Sequence, residues 1–254
     1  MTEDNTWQGK VAIVTGGSSG IGKATALALV ERGARVVITG RNGAALDKTA
    51  NESEALEPVQ ASSADPASAA RIVAAALDRW QRVDLVVNNA GAGQPMPVAA
   101  YDAAALADMC AINIVAPSLL VKEAHEALRD TGGAIVNIGT AVSQNAAPQL
   151  AHYAATKAAL DPLTRSWAIE LAGDGIRVNA VAPGPVKTGA LTGMMGLPQE
   201  VAASVEATEA AQIPLGRRGL TGDIVPWILR LGGVSNEWLT GQIITVDGGW
   251  SQRA

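Results

Sequence analysis

The first residues able to do chemistry are Thr15-Gly16-Gly17-Ser18-Ser19-Gly20-Ile21-Gly22. They follow the β-branched apolar run Lys10–Thr15 and open the Ala/Leu-rich stretch Ile21–Arg32. Glycines at such a junction allow a tight turn and let backbone N–H groups approach a pyrophosphate at the helix N-terminus, where the dipole favours anions. A plain strand-to-helix turn can also carry glycine, so it is the place between the first strand and the first helix of an alternating chain that favours nucleotide binding. Gly40-Arg41-Asn42 ends the second strand. The acidic residue that would hold a ribose 2′-hydroxyl is missing there, and Arg41 offers a guanidinium suited to a 2′-phosphate. This predicts NADP(H) over NAD(H); the plainer reading of Arg41 is a solvated loop residue. A lone Cys110 and the widely separated His125 and His152 make a poor zinc ligand set, so no metal site is predicted, and one cysteine permits no internal disulfide.

The elements that must position these residues alternate. Strands are expected at Lys10–Thr15, Arg35–Thr39, Leu56–Ala61, Val83–Asn88, Ala134–Ile138, Ile176–Val181 and Gln242–Val246. Helices are expected at Ile21–Arg32, Gly43–Glu54, Ala67–Trp80, Asp102–Arg129 and Ala151–Leu171, with Asp65-Pro66 supplying helix-start chemistry. Seven apolar strands separated by helices imply an α/β fold, a parallel sheet covered on both faces. The chain reads as one domain, residues 1–254, and its least regular stretch, Gly184–Pro214, reads as a substrate-binding lid.

Composition narrows the function classes. The 254 residues are 48% hydrophobic with a formal net charge of −5, and they include six Trp and two Tyr but no Phe. An acidic balance without a Lys/Arg cluster argues against nucleic acid or anionic membrane as partner. No apolar run is expected to reach the roughly 20 residues that span a bilayer. The polar, acidic Met1–Asn5 is unlike a signal peptide, so a cytoplasmic location is expected.

TGGSSGIG at 15–22, Asn88-Asn89-Ala90-Gly91, Tyr153-Ala154-Ala155-Thr156-Lys157 and Pro183-Gly184 stand in an order and at separations that resemble the short-chain dehydrogenases/reductases, from Trp7 to Gly249. The resemblance implies a single Rossmann-type doubly wound sheet, a nicotinamide cofactor, and hydride transfer between a carbonyl and an alcohol. It makes Tyr153 the general acid/base and Lys157 its partner. At i,i+4 on a helix the two share one face, and a nearby ammonium is expected to favour the phenolate. It places Asn113 in a water relay to the lysine. Pro117 cannot donate to the Asn113 carbonyl, which either frees that carbonyl for a water or is a simple kink. The family's serine, which polarises the reacting carbonyl, corresponds to Thr140, with Ser143 as rival. Cofactor contacts are implied at Gly16, Ser18, Ser19, Gly20, Ile21, Gly22, Arg41, Asn42, Ser62, Asn89, Ala90, Gly91, Tyr153, Lys157, Pro183, Gly184, Val186 and Thr188; Ser62 stands where the family often has an adenine-binding Asp.

The leading reading is an NADPH-dependent carbonyl reductase, or the reverse alcohol dehydrogenase. The segments 92–96, 144–150 and 191–197 are apolar or small, which suggests a neutral, fairly hydrophobic ketone. Thr131 and Asp174, where a carrier-protein reductase would place basic residues, favour a free substrate. Imine reduction by the same site, or a non-catalytic NADP(H) sensor or inactive subunit, are the alternatives. Cys110 reads as a buried small apolar residue, and His152 as either a surface or packing residue or a substrate contact. Trp238 and Trp250 would pack the last strand or a subunit contact, and the resemblance implies a homo-oligomer, a tetramer or dimer.

Overall fold

The computed structural model describes residues 7–145, 147–233 and 238–252. Met1–Asn5, and Ala146 within the 144–150 segment, lie outside them. Seven parallel strands form one sheet: β1 (Val11–Thr15), β2 (Arg35–Gly40), β3 (Leu56–Gln60), β4 (Leu85–Asn88), β5 (Ala134–Ile138), β6 (Arg177–Pro183) and β7 (Ile243–Val246). Their order is β3-β2-β1-β4-β5-β6-β7. The chain winds outward from β1 to β3, then returns to start again at β4. The crevice between the ends of β1 and β4 is therefore the topological switch point, where ligands of such sheets bind.

Alternation of side chains along each strand builds two cores. Ala12 and Val14 of β1, Val36 and Ile38 of β2, and Leu85 and Val87 of β4 face one layer. Val11, Ile13, Val37 and Val86 face the other. The first layer is covered by α1 (Gly20–Val30) and α9 (Thr221–Gly232), with Leu46 of α2 (Gly43–Ala50) at its margin. The second is covered by α3 (Ser68–Trp80), α5 (Ala116–Thr131) and α7 (Leu160–Glu170). Burying each Ile, Leu or Val contributes about 1.5–3 kcal/mol, so two aliphatic layers hold the sheet without phenylalanine.

Three expectations change. The long helix at 102–129 is three pieces: α4 (Ala103–Cys110), a π-helical turn at Ala111–Val115, and α5. Together, Ala103–Thr131 is long and apolar enough to cross a membrane by length and composition, which corrects the expectation that no stretch would be. Here Leu120, Val121, Ala124 and Leu128 of α5 join the core under α3. The stretch 184–214 is more regular than its Gly, Pro and Met content suggests: it holds a π-turn at Ala190–Met194 and the 14-residue helix α8 (Gln199–Gln212). Finally, α9 was not among the elements read from the sequence. Gly222 and Pro226 disguise it, although Ile224, Val225, Ile228, Leu229 and Leu231 recur at helical spacing and Asp223 caps it by accepting from the Leu220 N–H at 2.7 Å. Arg177, 9% exposed, ties β6 to this helix by donating to the carbonyls of Leu231, Gly232 and Gly233.

Candidate active site

The glycine loop crosses the end of β1 and delivers the chain into α1. Gly22 has no room for a side chain, since a Cβ would lie 2.3 Å from the Gly16 carbonyl oxygen and 2.4 Å from Asn89 Nδ2. Helix α1 therefore sits hard against the β1 and β4 ends. Thr15 joins those ends: its Oγ1 donates to the Val87 carbonyl and accepts the N–H groups of Asn89 (3.0 Å) and Ala90 (2.9 Å). Asn89 Nδ2 donates back to the Thr15 carbonyl at 2.8 Å. The N-cap Ser19 makes no side-chain cap bond, so no side chain closes off the first-turn N–H groups of α1.

Above these ends lies a cleft of about 810 Å³. At one end it is walled by Gly16, Ser18, Ser19, Gly20, Ile21 and Arg41, followed by Asn89, Ala90 and Gly91. Thr140, Tyr153, Lys157, Pro183, Gly184, Val186 and Thr188 continue the wall. Arg41 is exposed and has no carboxylate partner among the described residues. Four residues named from the sequence stand elsewhere. Gly22 is beneath the loop. Asn42 caps α2, its Oδ1 accepting from the Ala45 N–H at 3.1 Å. Ser62 Oγ accepts from the Ala64 N–H within its own loop, and the neighbours Ala61 and Ser63 line the cleft in its place. Asn113 is fully buried behind the wall.

The reactive groups come from three elements. Tyr153 and Lys157 lie on α6 (Ala151–Ala158), and a Cβ on Gly93 would stand 2.4 Å from the Tyr153 ring, so only glycine lets the phenol lie there. Thr140 follows β5, and its hydroxyl, which accepts from the Val142 N–H at 3.2 Å, shares the cleft wall with the Tyr153 phenol and favours its ionised form. Ser143 is committed elsewhere, its Oγ donating to the Thr140 carbonyl at 2.7 Å. Lys157 is 5% exposed and donates to the Ile138 carbonyl at 2.8 Å. Burial pushes its ammonium down to about 8. Burial also pushes the Tyr153 phenol above its ordinary value, with the Thr140 hydroxyl pulling the other way. Burial thus opposes the phenolate that a neighbouring ammonium was expected to favour.

Asn113 sits in the π-turn, where Ala116 N–H bonds the Ala111 carbonyl one residue further back than in an α-helix. Its side chain clamps the segment after β4, Oδ1 accepting from Ala92 N–H at 2.9 Å and Nδ2 donating to the Ala92 carbonyl at 2.8 Å and to Thr156 Oγ1 at 2.9 Å. His152 does not line the cleft; its ring meets Tyr101 edge-on at 4.5 Å. The sequence placed Thr15 at the head of the glycine motif, Gln149 in the segment 144–150 and Val201, Val205 and Glu209 in the stretch 184–214 without singling them out, and it missed Arg218; Cys110, expected to be buried, is exposed. Gln149 lines the cleft with φ +66°, and its carbonyl accepts from Met96 N–H at 2.7 Å. Val201, Val205, Glu209 and Arg218 come from α8 and the segment after it, and no local motif marks them.

The site suits a nicotinamide dinucleotide: uncapped N–H groups for a pyrophosphate, a free guanidinium at one end, and a buried lysine beside a phenol at the other. Comparison with known proteins points the same way. A family model described as Enoyl-(Acyl carrier protein) reductase matches residues 16–251. A 3-oxoacyl-[acyl-carrier-protein] reductase of Thermotoga maritima is 32% identical over 255 residues, covering 95% of this chain and 98% of the relative. A short-chain dehydrogenase/reductase of unknown function from Caenorhabditis elegans, solved with cofactor, superposes with a TM-score of 0.92 at 33% identity, covering 98% of this chain and 97% of that one. A 3-ketoacyl-(acyl-carrier-protein) reductase of Brucella melitensis complexed with NADH gives 0.89 at 30%, covering 96% and 99%.

Proposed function

The chain belongs to the short-chain dehydrogenase/reductase family of oxidoreductases, and we propose that it is an NADP(H)-dependent carbonyl reductase acting on a free small ketone. The observation that carries this is that the hydroxyls of Thr140 and Tyr153 and the buried Lys157 share one wall of the cleft. Arg41, without a carboxylate partner among the described residues, supports the phosphorylated cofactor from the other end.

When bound, the reduced nicotinamide supplies a hydride to the carbonyl carbon. Thr140 and Tyr153 hold the carbonyl oxygen, and Tyr153 Oη gives it the proton. Burial keeps the phenol protonated, which is the state a general acid needs. Lys157, fixed on the Ile138 carbonyl, is placed to return that proton. Asn113 holds the Ala92 segment against α6, and its own carbonyl, denied the Pro117 N–H, is the acceptor for a relay water.

The segment 184–214 forms the substrate lid of this domain, with Leu191 and Met194 from its π-turn, Met195 just after it, and Val201 and Val205 from α8 on the wall. Asp174 pairs with His125 at 2.7 Å and Thr131 Oγ1 donates to Val83 O, so neither offers a cation to an acidic carrier protein. Exposed Trp238, Leu215 and Ile169 fit a contact between subunits of a homo-oligomer.

The test is a panel of ketones, diketones and cyclic imines run with NADPH and with NADH, using Tyr153→Phe as control. Ketone turnover with NADPH that Tyr153→Phe abolishes is expected. Preference for imines would move the reading to an imine reductase. NADPH binding with no turnover would mark a sensor, and a better rate with NADH would overturn the role given to Arg41.

A further inference from the structure

The turn that leads into α6 carries a residue its backbone does not favour. Ala147-Pro148-Gln149-Leu150 is a β-turn closed by the Leu150 N–H on the Ala147 carbonyl at 3.0 Å, with Pro148 at its second place and Gln149, φ +66°, at its third. That is the pattern of a type II turn, whose third place favours glycine because a side chain is strained at positive φ. Gln81 is the other non-glycine residue with positive φ among the described residues, and it is the C-cap of α3, where the helix end accounts for it. Gln149 ends no helix. Its place is fixed from both sides: its carbonyl accepts from Met96 N–H at 2.7 Å, and the Leu150 carbonyl accepts from Ala154 N–H at 2.8 Å in the helix that carries Tyr153. Glycine would make the same turn and the same backbone bond without strain, so what glutamine adds is its side chain. Gln149 is exposed and lines the cleft, and its carboxamide has no hydrogen-bond partner among the described residues. Other polar groups at that end are engaged. Thr140 and Tyr153 are assigned to the reacting oxygen, Lys157 rests on the Ile138 carbonyl, and Arg218 Nε lies 3.0 Å from Glu209. Pro95, Pro148, Leu150, Leu191, Met194 and Leu197 add apolar surface.

We propose that Gln149 is a specificity-determining residue, kept in a strained turn so that its carboxamide can hydrogen-bond a hydroxyl of the substrate remote from the carbonyl being reduced. A carboxamide both donates and accepts, and a hydroxyl, which does both, is its match. This rests on the carbonyl-reductase reading and narrows its substrate from a plain hydrophobic ketone to a neutral hydroxyketone. The turn gives up stability for selectivity. Its backbone holds the carboxamide at a constant place relative to Tyr153, so the substrate has only the side chain left to order. One such hydrogen bond is worth about 3–10-fold in kcat/KM.

The experiment compares acetophenones bearing a meta or para hydroxymethyl group with the corresponding ethyl compounds, which match them in size and lack the hydroxyl. Each is assayed with the wild type, Gln149→Gly and Gln149→Leu. The ratio of kcat/KM, hydroxymethyl over ethyl, is expected to be about 3–10-fold higher in the wild type than in either variant for at least one ring position. Both variants lose the carboxamide, but only Gln149→Gly also relieves the backbone. Its Tm should rise by about 2–4 °C, while that of Gln149→Leu does not. An equal ratio in all three proteins, with both substrates falling in parallel in the variants, overturns the proposal, since that is what a merely structural turn would give. A lower Tm for Gln149→Gly also overturns it, because the glutamine would then be kept for stability. Calorimetric titration of the NADP-loaded protein with the same ketones reads the preference without turnover. If no ketone is reduced, the carbonyl-reductase reading fails while this titration still decides the role of Gln149. A preference for the hydroxymethyl compound that is greater in the wild type than in the variants supports it; an equal preference, or binding of neither, overturns it. Should Gln149→Leu fail to fold by circular dichroism, Gln149→Gly carries the comparison alone.

Discussion

Thr140→Val tests the site most directly, because valine keeps the shape and removes only the hydroxyl. Thr140 is 6% exposed, its Oγ1 accepts from the Val142 N–H at 3.2 Å, and it shares the cleft wall with Tyr153. Losing one preorganised donor to a reacting carbonyl oxygen costs about 10²–10³ in kcat, or ~2.7–4 kcal/mol. The lost acceptor for Val142 costs about 1 kcal/mol of stability, equivalent to roughly 2–4 °C in Tm at this chain length. Thr140→Ser should restore both, since it returns the hydroxyl without the methyl. Ser143→Ala should leave kcat close to wild type, because that hydroxyl is spent on the Thr140 carbonyl. A pH signature accompanies the rate. Burial raises the Tyr153 phenol and the Thr140 hydroxyl opposes that rise, so without Thr140 the phenol moves further up. Alcohol oxidation, which needs the phenolate, then has its rising limb displaced to higher pH. Reduced-nicotinamide absorbance follows both directions, and thermal melting reads stability. A Thr140→Val enzyme of near wild-type kcat, with Ser143→Ala inactive, would refute the assignment of the hydroxyl.

Two further outcomes are expected. Arg41→Ala should raise the KM for NADPH about 10–100-fold, the worth of a charge-assisted hydrogen bond of ~1.5–3 kcal/mol, with little change for NADH; an equal effect on both cofactors would show that Arg41 does not meet a 2′-phosphate. Lys157→Met probes the cost of the buried ammonium, whose folded value of about 8 lies below the ordinary 10.5. Between those values the unfolded chain binds more protons than the folded one, so wild-type stability rises with pH relative to the variant, by up to about 3 kcal/mol. Below about pH 8 the lysine is charged in both states and the whole cost is present. Denaturant unfolding of both proteins across that window should show the difference between them narrowing or reversing; a constant difference would contradict the assigned burial effect.

Where a residue's role is set by its near neighbours in the chain, the sequence read well. The continuous apolar runs at Val11–Thr15 and Ala134–Ile138 are strands, the glycine run lies at the first strand–helix junction, and Tyr153 and Lys157 lie four residues apart on α6, both lining the cleft. Where a short-range signal was weak, it failed. The Gly222 and Pro226 of α9 masked a sound apolar spacing, and the glycines and methionines of 184–197 drew attention from the Ala-rich α8 that follows. Ser62 was a one-residue error in a loop, since a loop has no periodicity to fix which side chain turns inward.

The sequence by itself determined the alternation of strands and helices, the glycine turn at the first strand–helix junction and the i,i+4 spacing of Tyr153 and Lys157, because each rests on covalent spacing and on local backbone preference. Only the tertiary structure tells the two candidate hydroxyls apart, since Thr140 and Ser143 are three residues apart and the turn after β5 commits Ser143 to the Thr140 carbonyl while Thr140 lines the cleft. It also decided the protonation balance, because burial is a property of everything packed around a group, and it drives both Tyr153 and Lys157 toward their uncharged forms. The Arg218–Glu206–Glu209 group belongs to the same class. Glu206 and Glu209 lie twelve and nine residues before Arg218, and the ion pairs form only when the chain after α8 turns back to place Arg218 beside that helix and on the Val186 carbonyl.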